Sequence, residues 1–251
     1  MRLPAPQAHR VAAGVMLVAL LLGWPAAPAA AALISQEDEI RIGREAAVQL
    51  EAEVGLSADQ AAAARLRAIG RRVATVSSRR SVPYTFKVIR GRDVNAISLP
   101  GGFIYATEAL MRFVASDAEL AFVMGHEVAH VAARHHVALL ERELLLGLLS
   151  RLLLGPESNI AQLGQIARAL VARGYSRENE YEADRVGIGY AHRAGFDASA
   201  ALDFMMRLRA AEGRDPDRFE VLLRTHPALL DRIQRARDEL RALGYRVPAR
   251  P

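Results

Sequence analysis

The chain has 251 residues, 51% of them hydrophobic and 24% charged, which suits one sizeable domain with its own core and excludes a disordered segment. Its formal net charge of +5 rests almost wholly on arginine, Lys87 being the only lysine, and these residues are spread among acidic ones without forming a run, which argues against a nucleic-acid partner. No cysteine is present, so disulfides, cysteine metal sites, cysteine nucleophiles and lipid attachment at an N-terminal cysteine are all excluded.

In chain order, MRLPAPQAHR is a short basic segment ahead of VAAGVMLVALLLGW (11–24), an apolar stretch of 14 residues, and PAAPAAAA then supplies small residues that a signal peptidase accepts. That stretch is shorter than the roughly 20 residues that span a bilayer. Residues 1–32 are therefore expected to be a signal peptide that exports the mature chain, 33–251, to a periplasm; the alternative is an uncleaved leader anchoring it to the inner membrane.

SQEDEIRIGREAAVQLEAEVG (35–55) opens with Ser35 and an acidic first turn, a helix start. SADQAAAARLRAIGRRVATV (57–76) has helical periodicity, with Ser57 as its expected N-cap. VPYTFKVI (82–89) alternates and is rich in β-formers, so a strand is expected there. NAISLPGGFIYAT (95–107) reads as a hairpin of two short strands broken at Pro100-Gly101-Gly102. From Ser116 onward the pattern is helical nearly to the end, with breaks near Gly155-Pro156, Gly174, Gly195, Asp215-Pro216 and Pro227. LLERELLLGLLSRLLLG (139–155) is apolar but interrupted by Glu141, Arg142, Glu143 and Arg151, so it is either a core helix or an amphipathic lid or membrane-surface contact, and not a span. The fold class is α+β, a small sheet laid against a mostly helical body.

The chemistry concentrates in AELAFVMGHEVAHVAARHH (118–136). Ser116 and Glu119 have the spacing of a capping box, and the helix they start puts His126 and His130, four apart, on one face. Two neutral imidazoles so placed can bind one Zn²⁺ from a rigid element, and Glu127, about 100° round the helix, lies beside the ion without ligating it, where it can take a proton from water. His135 and His136 are expected to continue the same helix, pointing away from the His126/His130 line or lying beyond it. A catalytic zinc takes a third protein ligand. In SRENEYEADRVGIGYAHRAG (176–195), Glu180 and Asp184 share a helical face: Glu180 is a candidate third ligand, and Asp184 a candidate acceptor for a ligating histidine's ring N–H. The alternative is that Glu178, Glu180, Glu182 and Asp184 form a solvated face. His192 is read as structural.

HEVAH followed by SRENEYEADRVG resembles the HtpX and CAAX-prenyl-protease family of zinc metallopeptidases, in particular its soluble periplasmic branch. EIRIGREAA, NAISLPGGFIYAT, ARHH and THPALLDRI extend the resemblance over roughly 35–243. It implies a zincin-like metallopeptidase domain over 33–251 whose edge strand borders the active-site cleft. One Zn²⁺ would be held by His126, His130 and Glu180, with Asp184 supporting a ligating histidine and Glu127 as catalytic base. Asn95 and Ala96 would contact the substrate backbone, and His226, before Pro227, would steady the oxyanion or cap the zinc in a resting state. The implied substrate is an extended or unfolded polypeptide, a misfolded or unassembled cell-envelope protein, with a peripheral membrane or outer-membrane assembly contact as a further partner. A chaperone-like binding factor with a structural or capped zinc is the alternative. Some relatives carry a helical-repeat extension or a multi-span membrane part; neither is read in this sequence, so the resemblance does not extend to a dedicated partner-binding module.

Overall fold

The structure is a computed structural model and describes residues 34–145 and 160–247, all within one compact unit; the leader read in 1–32 and most of the apolar stretch 139–155 lie outside the described residues. The chain enters through α1 (Gln36–Val54), started by Ser35, whose hydroxyl accepts the Asp38 N–H at 3.1 Å. In α2 (Gln60–Ala74) the cap is Asp59, not the expected Ser57: the Asp59 carboxylate accepts the Ala62 N–H at 2.9 Å, while the Ser57 hydroxyl donates to Glu108 at 2.6 Å. A carboxylate is the stronger acceptor for a helix N-terminus, so the later residue wins.

Three strands follow: β1 (Thr85–Ile89), β2 (Ala96–Leu99) and β3 (Phe103–Thr107). The sheet order is β1-β3-β2, with β3 parallel to β1 and antiparallel to β2, so β2 is an edge. The strand expected from residue 82 begins at Thr85, because Val82 N–H turns back to Arg79 C=O at 3.3 Å and does not pair with the sheet. The expected hairpin is present. Its turn is a single 3₁₀ turn, Pro100–Gly102, in which Gly101 (φ 72°) and Gly102 (φ 91°) both occupy the left-handed region that glycine enters freely. A short helix not anticipated from the sequence, α3 (Glu108–Phe113), leaves β3 directly, its first turn capped by the Thr107 hydroxyl on Leu110 N–H at 3.1 Å.

The helical body comprises α4 (Asp117–Ala132), α5 (His135–Leu145), α6 (Ile160–Arg173), α7 (Arg177–Arg193), α8 (Ala200–Glu212), α9 (Glu220–Thr225) and α10 (Leu229–Ala242). Every residue of α4 from Glu119 to Val131 is buried, and its apolar side chains join the main core together with α2, α7, α8 and α10. Ser116 caps α4 as expected, but the return arm of Glu119 accepts the Ala115 N–H at 2.8 Å. α4 packs most closely on α7, and glycine makes that approach possible. A Cβ at Gly125 would lie 2.6 Å from the Gly187 carbonyl oxygen, and one at Gly187 would lie 2.7 Å from the His126 nitrogen. Two backbones in contact bring His126 and His130 of α4 within reach of Glu180, two turns before Gly187 on α7.

α4 does not run on through the paired histidines. It ends at Ala132, Arg134 takes a left-handed φ of 58°, and α5 starts afresh at His135. The reversal is braced by Glu39 of α1, which is fully buried. Arg79 grips its carboxylate with two nitrogens at 3.1 and 3.0 Å, Gly101 N–H donates to it at 3.2 Å, and Arg79 also donates to Val131 C=O at 2.9 Å. None of the described helices is long and apolar enough to cross a membrane.

Candidate metal centre

Four side chains converge at the α4–α7 crossing: His126 and His130 from α4, Glu180 from α7, and His226 from the α9–α10 turn, all buried and with one donor atom each within 4.8 Å of the others. His126 Nε2 lies 3.0 Å from His130 Nε2, 3.5 Å from Glu180 Oε2 and 3.3 Å from His226 Nδ1. His130 Nε2 lies 3.4 Å from Glu180 Oε1, and His226 Nδ1 lies 3.1 Å from the same oxygen. Donors 2.0–2.1 Å from a tetrahedral ion are separated by about 3.3 Å. The observed edges match that spacing, so the donor set fits a small divalent ion.

The protonation chemistry fits too. His126 Nδ1 is 2.9 Å from Asp184 Oδ1, so the ring donates there and its Nε2 lone pair faces the cluster. Arg232 clamps the same aspartate through Nε (2.7 Å) and Nη2 (2.8 Å) and reaches Glu180 with Nη1 at 2.8 Å. Burial would raise Glu180, but His226, Arg232 and His126 hold its carboxyl well below the usual range; Asp184 is lowered against its burial mainly by Arg232. Burial pushes the His130 imidazole well below its ordinary value despite Glu180, whereas His226, also buried, is raised by Glu180. Ionised carboxylates facing a neutral imidazole are the forms that a metal ion requires.

Glu127 stands beside the cluster, 2% exposed, and accepts a 2.6 Å hydrogen bond from the Ser98 hydroxyl on β2. His136, lowered by burial to about 3 and so neutral, donates through Nε2 to Ser98 C=O at 2.8 Å. His135 Nδ1 lies 2.9 Å from His130 Nδ1. The expectation that His135 and His136 point away is thus corrected: the left-handed turn at Arg134 swings both back onto the site. Sequence reasoning also missed Ser98, Tyr175 and Arg232. Arg232 lies in the THPALLDRI segment and Ser98 in NAISLPGG, but neither shows its partner in a linear pattern.

A cleft of about 410 Å³ runs along the free edge of β2, lined by Asn95, Ala96, Ser98, Glu127, Tyr175 and His226 among others. Asn95 and Ala96 line this cleft at the start of the edge strand. Glu180 and Asp184 are buried while Glu178 and Glu182 are exposed, so the α7 carboxylates split between site and surface. His192 lies at the surface, 3.0 Å from the Tyr245 hydroxyl.

The family model described as Peptidase family M48 matches residues 60–240. The chain is 35% identical over 184 residues to a putative beta-barrel assembly-enhancing protease of Vibrio cholerae, covering 69% of this chain and 38% of that protein. It is 30% identical over 220 residues to the beta-barrel assembly-enhancing protease of Yersinia pestis (83% of this chain, 45% of that one), and 30% identical over 174 residues to the mitochondrial metalloendopeptidase OMA1 of Schizosaccharomyces pombe (68% and 50%). It thus spans half or less of the length of these relatives. With the HExxH helix, the second acidic helix and the converging donors all inside the matched region, the chain belongs to peptidase family M48.

Proposed function

We propose that residues 33–251 form a zinc-dependent endopeptidase that hydrolyses misfolded or unassembled cell-envelope proteins, with His126, His130 and Glu180 holding the ion and Glu127 as general base. The observation that carries this reading is the meeting of three donors from two helices, at ion-sized spacings, next to a buried carboxylate that faces a cleft. Two imidazoles and one carboxylate suit zinc better than the all-oxygen shells of magnesium or calcium. When bound, the ion polarises the scissile carbonyl and brings the pKa of water down to about 7.

The chain's own groups do the rest. Glu127, held by Ser98, takes a proton from the attacking water; the water oxygen joins the carbonyl carbon, the C–N bond breaks, and Glu127 returns the proton to the departing amine. The edge of β2 away from β3 has no strand partner among the described residues and offers backbone groups to an extended peptide, beginning at Asn95 and Ala96. Export through residues 1–32 to the periplasm accords with the leader-like sequence, and a contact with outer-membrane assembly accords with two relatives named for β-barrel assembly.

Glu127→Gln is expected to keep its zinc, measured by metal analysis, and to lose about 10²–10⁴-fold in kcat on an unfolded polypeptide. Full activity in that variant would refute the role. A second reading has one observation in its favour: His226 Nδ1, 3.3 Å from His126 Nε2, completes a fourth vertex, as in a protein whose ion is capped and whose task is binding. If Glu127→Gln rescues an envelope-assembly defect in cells as well as the unaltered chain does, binding is the function.

A further inference from the structure

Tyr175 stands in the short link between α6 and α7, just after Gly174. Its backbone N–H is tied to Thr225 C=O at 3.2 Å, next to His226. The ring lies flat on His130, with centroids 3.9 Å apart and planes 24° apart, and meets His136 edge-on at 5.7 Å. The His135 and His226 rings lie 6.1 and 6.0 Å away, so four histidine rings hold the phenol in place. The residue is 6% exposed and lines the cleft together with Glu127 and His226; its hydroxyl oxygen is itself buried, with the Ser98 side chain in its vicinity, and makes no hydrogen bond of ordinary geometry among the described residues. Its charged neighbours are Glu127 and Glu180.

A buried phenol nearly always has a partner, so one facing a cleft without one is placed for an acceptor that arrives with a ligand. The neighbouring hydroxyls are already committed: Ser98 to Glu127, and Thr225 to Val221 C=O at 2.9 Å. The Tyr175 hydroxyl is therefore a donor without a short partner among the described residues, beside Glu127.

We infer that Tyr175 is a catalytic residue whose hydroxyl donates a hydrogen bond to the scissile carbonyl oxygen as that oxygen gains negative charge. This rests on the peptidase reading above. The phenol keeps its proton throughout; it stabilises charge and transfers nothing. A donor aimed where charge develops acts on the rate more than on substrate affinity.

Tyr175→Phe tests it, because the ring that stacks on His130 remains and only the oxygen is lost. Metal content, steady-state kinetics on a quenched peptide, and calorimetric affinity for a phosphinic peptide, whose tetrahedral anion mimics the transition state, are compared with the unaltered chain. The expected result is unchanged zinc, KM within about two-fold, kcat lower by about 10²-fold and phosphinic-peptide affinity lower by a similar factor. Affinity for the ordinary peptide, measured with Glu127→Gln present in both chains, should not move. If the unaltered chain cleaves and Tyr175→Phe matches it in kcat and phosphinic affinity, the inference falls and the peptidase reading stands. If the zinc-loaded unaltered chain neither cleaves peptides nor binds the phosphinic peptide, both fall.

Discussion

His126 offers its two ring nitrogens to two different partners, and that asymmetry prepares it for an ion. Nδ1 gives its proton to Asp184 at 2.9 Å, leaving the Nε2 lone pair pointed at His130, Glu180 and His226. Asp184 is in turn held by two nitrogens of Arg232, so the ring, the carboxylate and the guanidinium form one rigid chain. Asp184→Asn removes the charge that fixes the His126 tautomer. It should weaken metal binding by about 10–100-fold in a chelator competition, with the helices intact by circular dichroism. Unchanged affinity would show that Asp184 serves only Arg232. These roles are unequal in how far they show in a sequence. His126, Glu127 and His130 declare themselves through spacing on a helix, and Glu180 and Asp184 through a second spacing of four. Ser98, Tyr175 and Arg232 do not, because each acts through a contact with a residue more than 25 positions away.

At the scale of elements, the crossing of α4 and α7 sets the metal site, and the Gly125–Gly187 contact sets the crossing. Gly187→Ala drives a methyl into the His126 backbone, so the helices must separate. The expected loss is about 1–3 kcal/mol, read as a lower midpoint in denaturant for the metal-free protein, together with weaker metal uptake. A variant equal to the unaltered chain in both would contradict the packing account. The helix α4 was legible from its Ser116 cap and spacing and α7 from Glu180 and Asp184 four apart; the cap of α7, Ser176, which accepts the Asn179 N–H at 3.2 Å, was not singled out. The reversal between α4 and α5 was not. Arg134 carries a left-handed φ with an ordinary side chain, and arginine gives no turn signal, so a continuous helix through His136 was the natural reading. Tertiary bracing by Glu39 and Arg79, which no local pattern contains, makes that turn affordable.

Across the whole molecule, residues 100 positions apart, His126 and His226, meet at 3.3 Å, so the centre ties the α4 helix to the C-terminal helices. The buried Glu39–Arg79 pair ties α1 to the hairpin turn and to the end of α4. Arg79→Ala leaves that carboxylate buried without its main partner and should cost about 3–5 kcal/mol of stability in denaturant unfolding. A loss below about 1 kcal/mol would show the pair to be dispensable. Because an ion held by α4 and α7 binds the folded chain alone, saturating metal at a hundred times its Kd should stabilise the protein by about 2.7 kcal/mol, and a chelator should reverse this. The central claim is that one ion is shared by His126, His130 and Glu180. Zinc K-edge absorption on the purified chain, with metal content for it and for Glu180→Ala, tests that most directly. One zinc per chain, bound by imidazole nitrogen and carboxylate oxygen at about 2.0–2.2 Å, is expected, with a marked loss of metal in Glu180→Ala. A chain that takes up no zinc, or a Glu180→Ala variant with the same zinc content and spectrum, would contradict it.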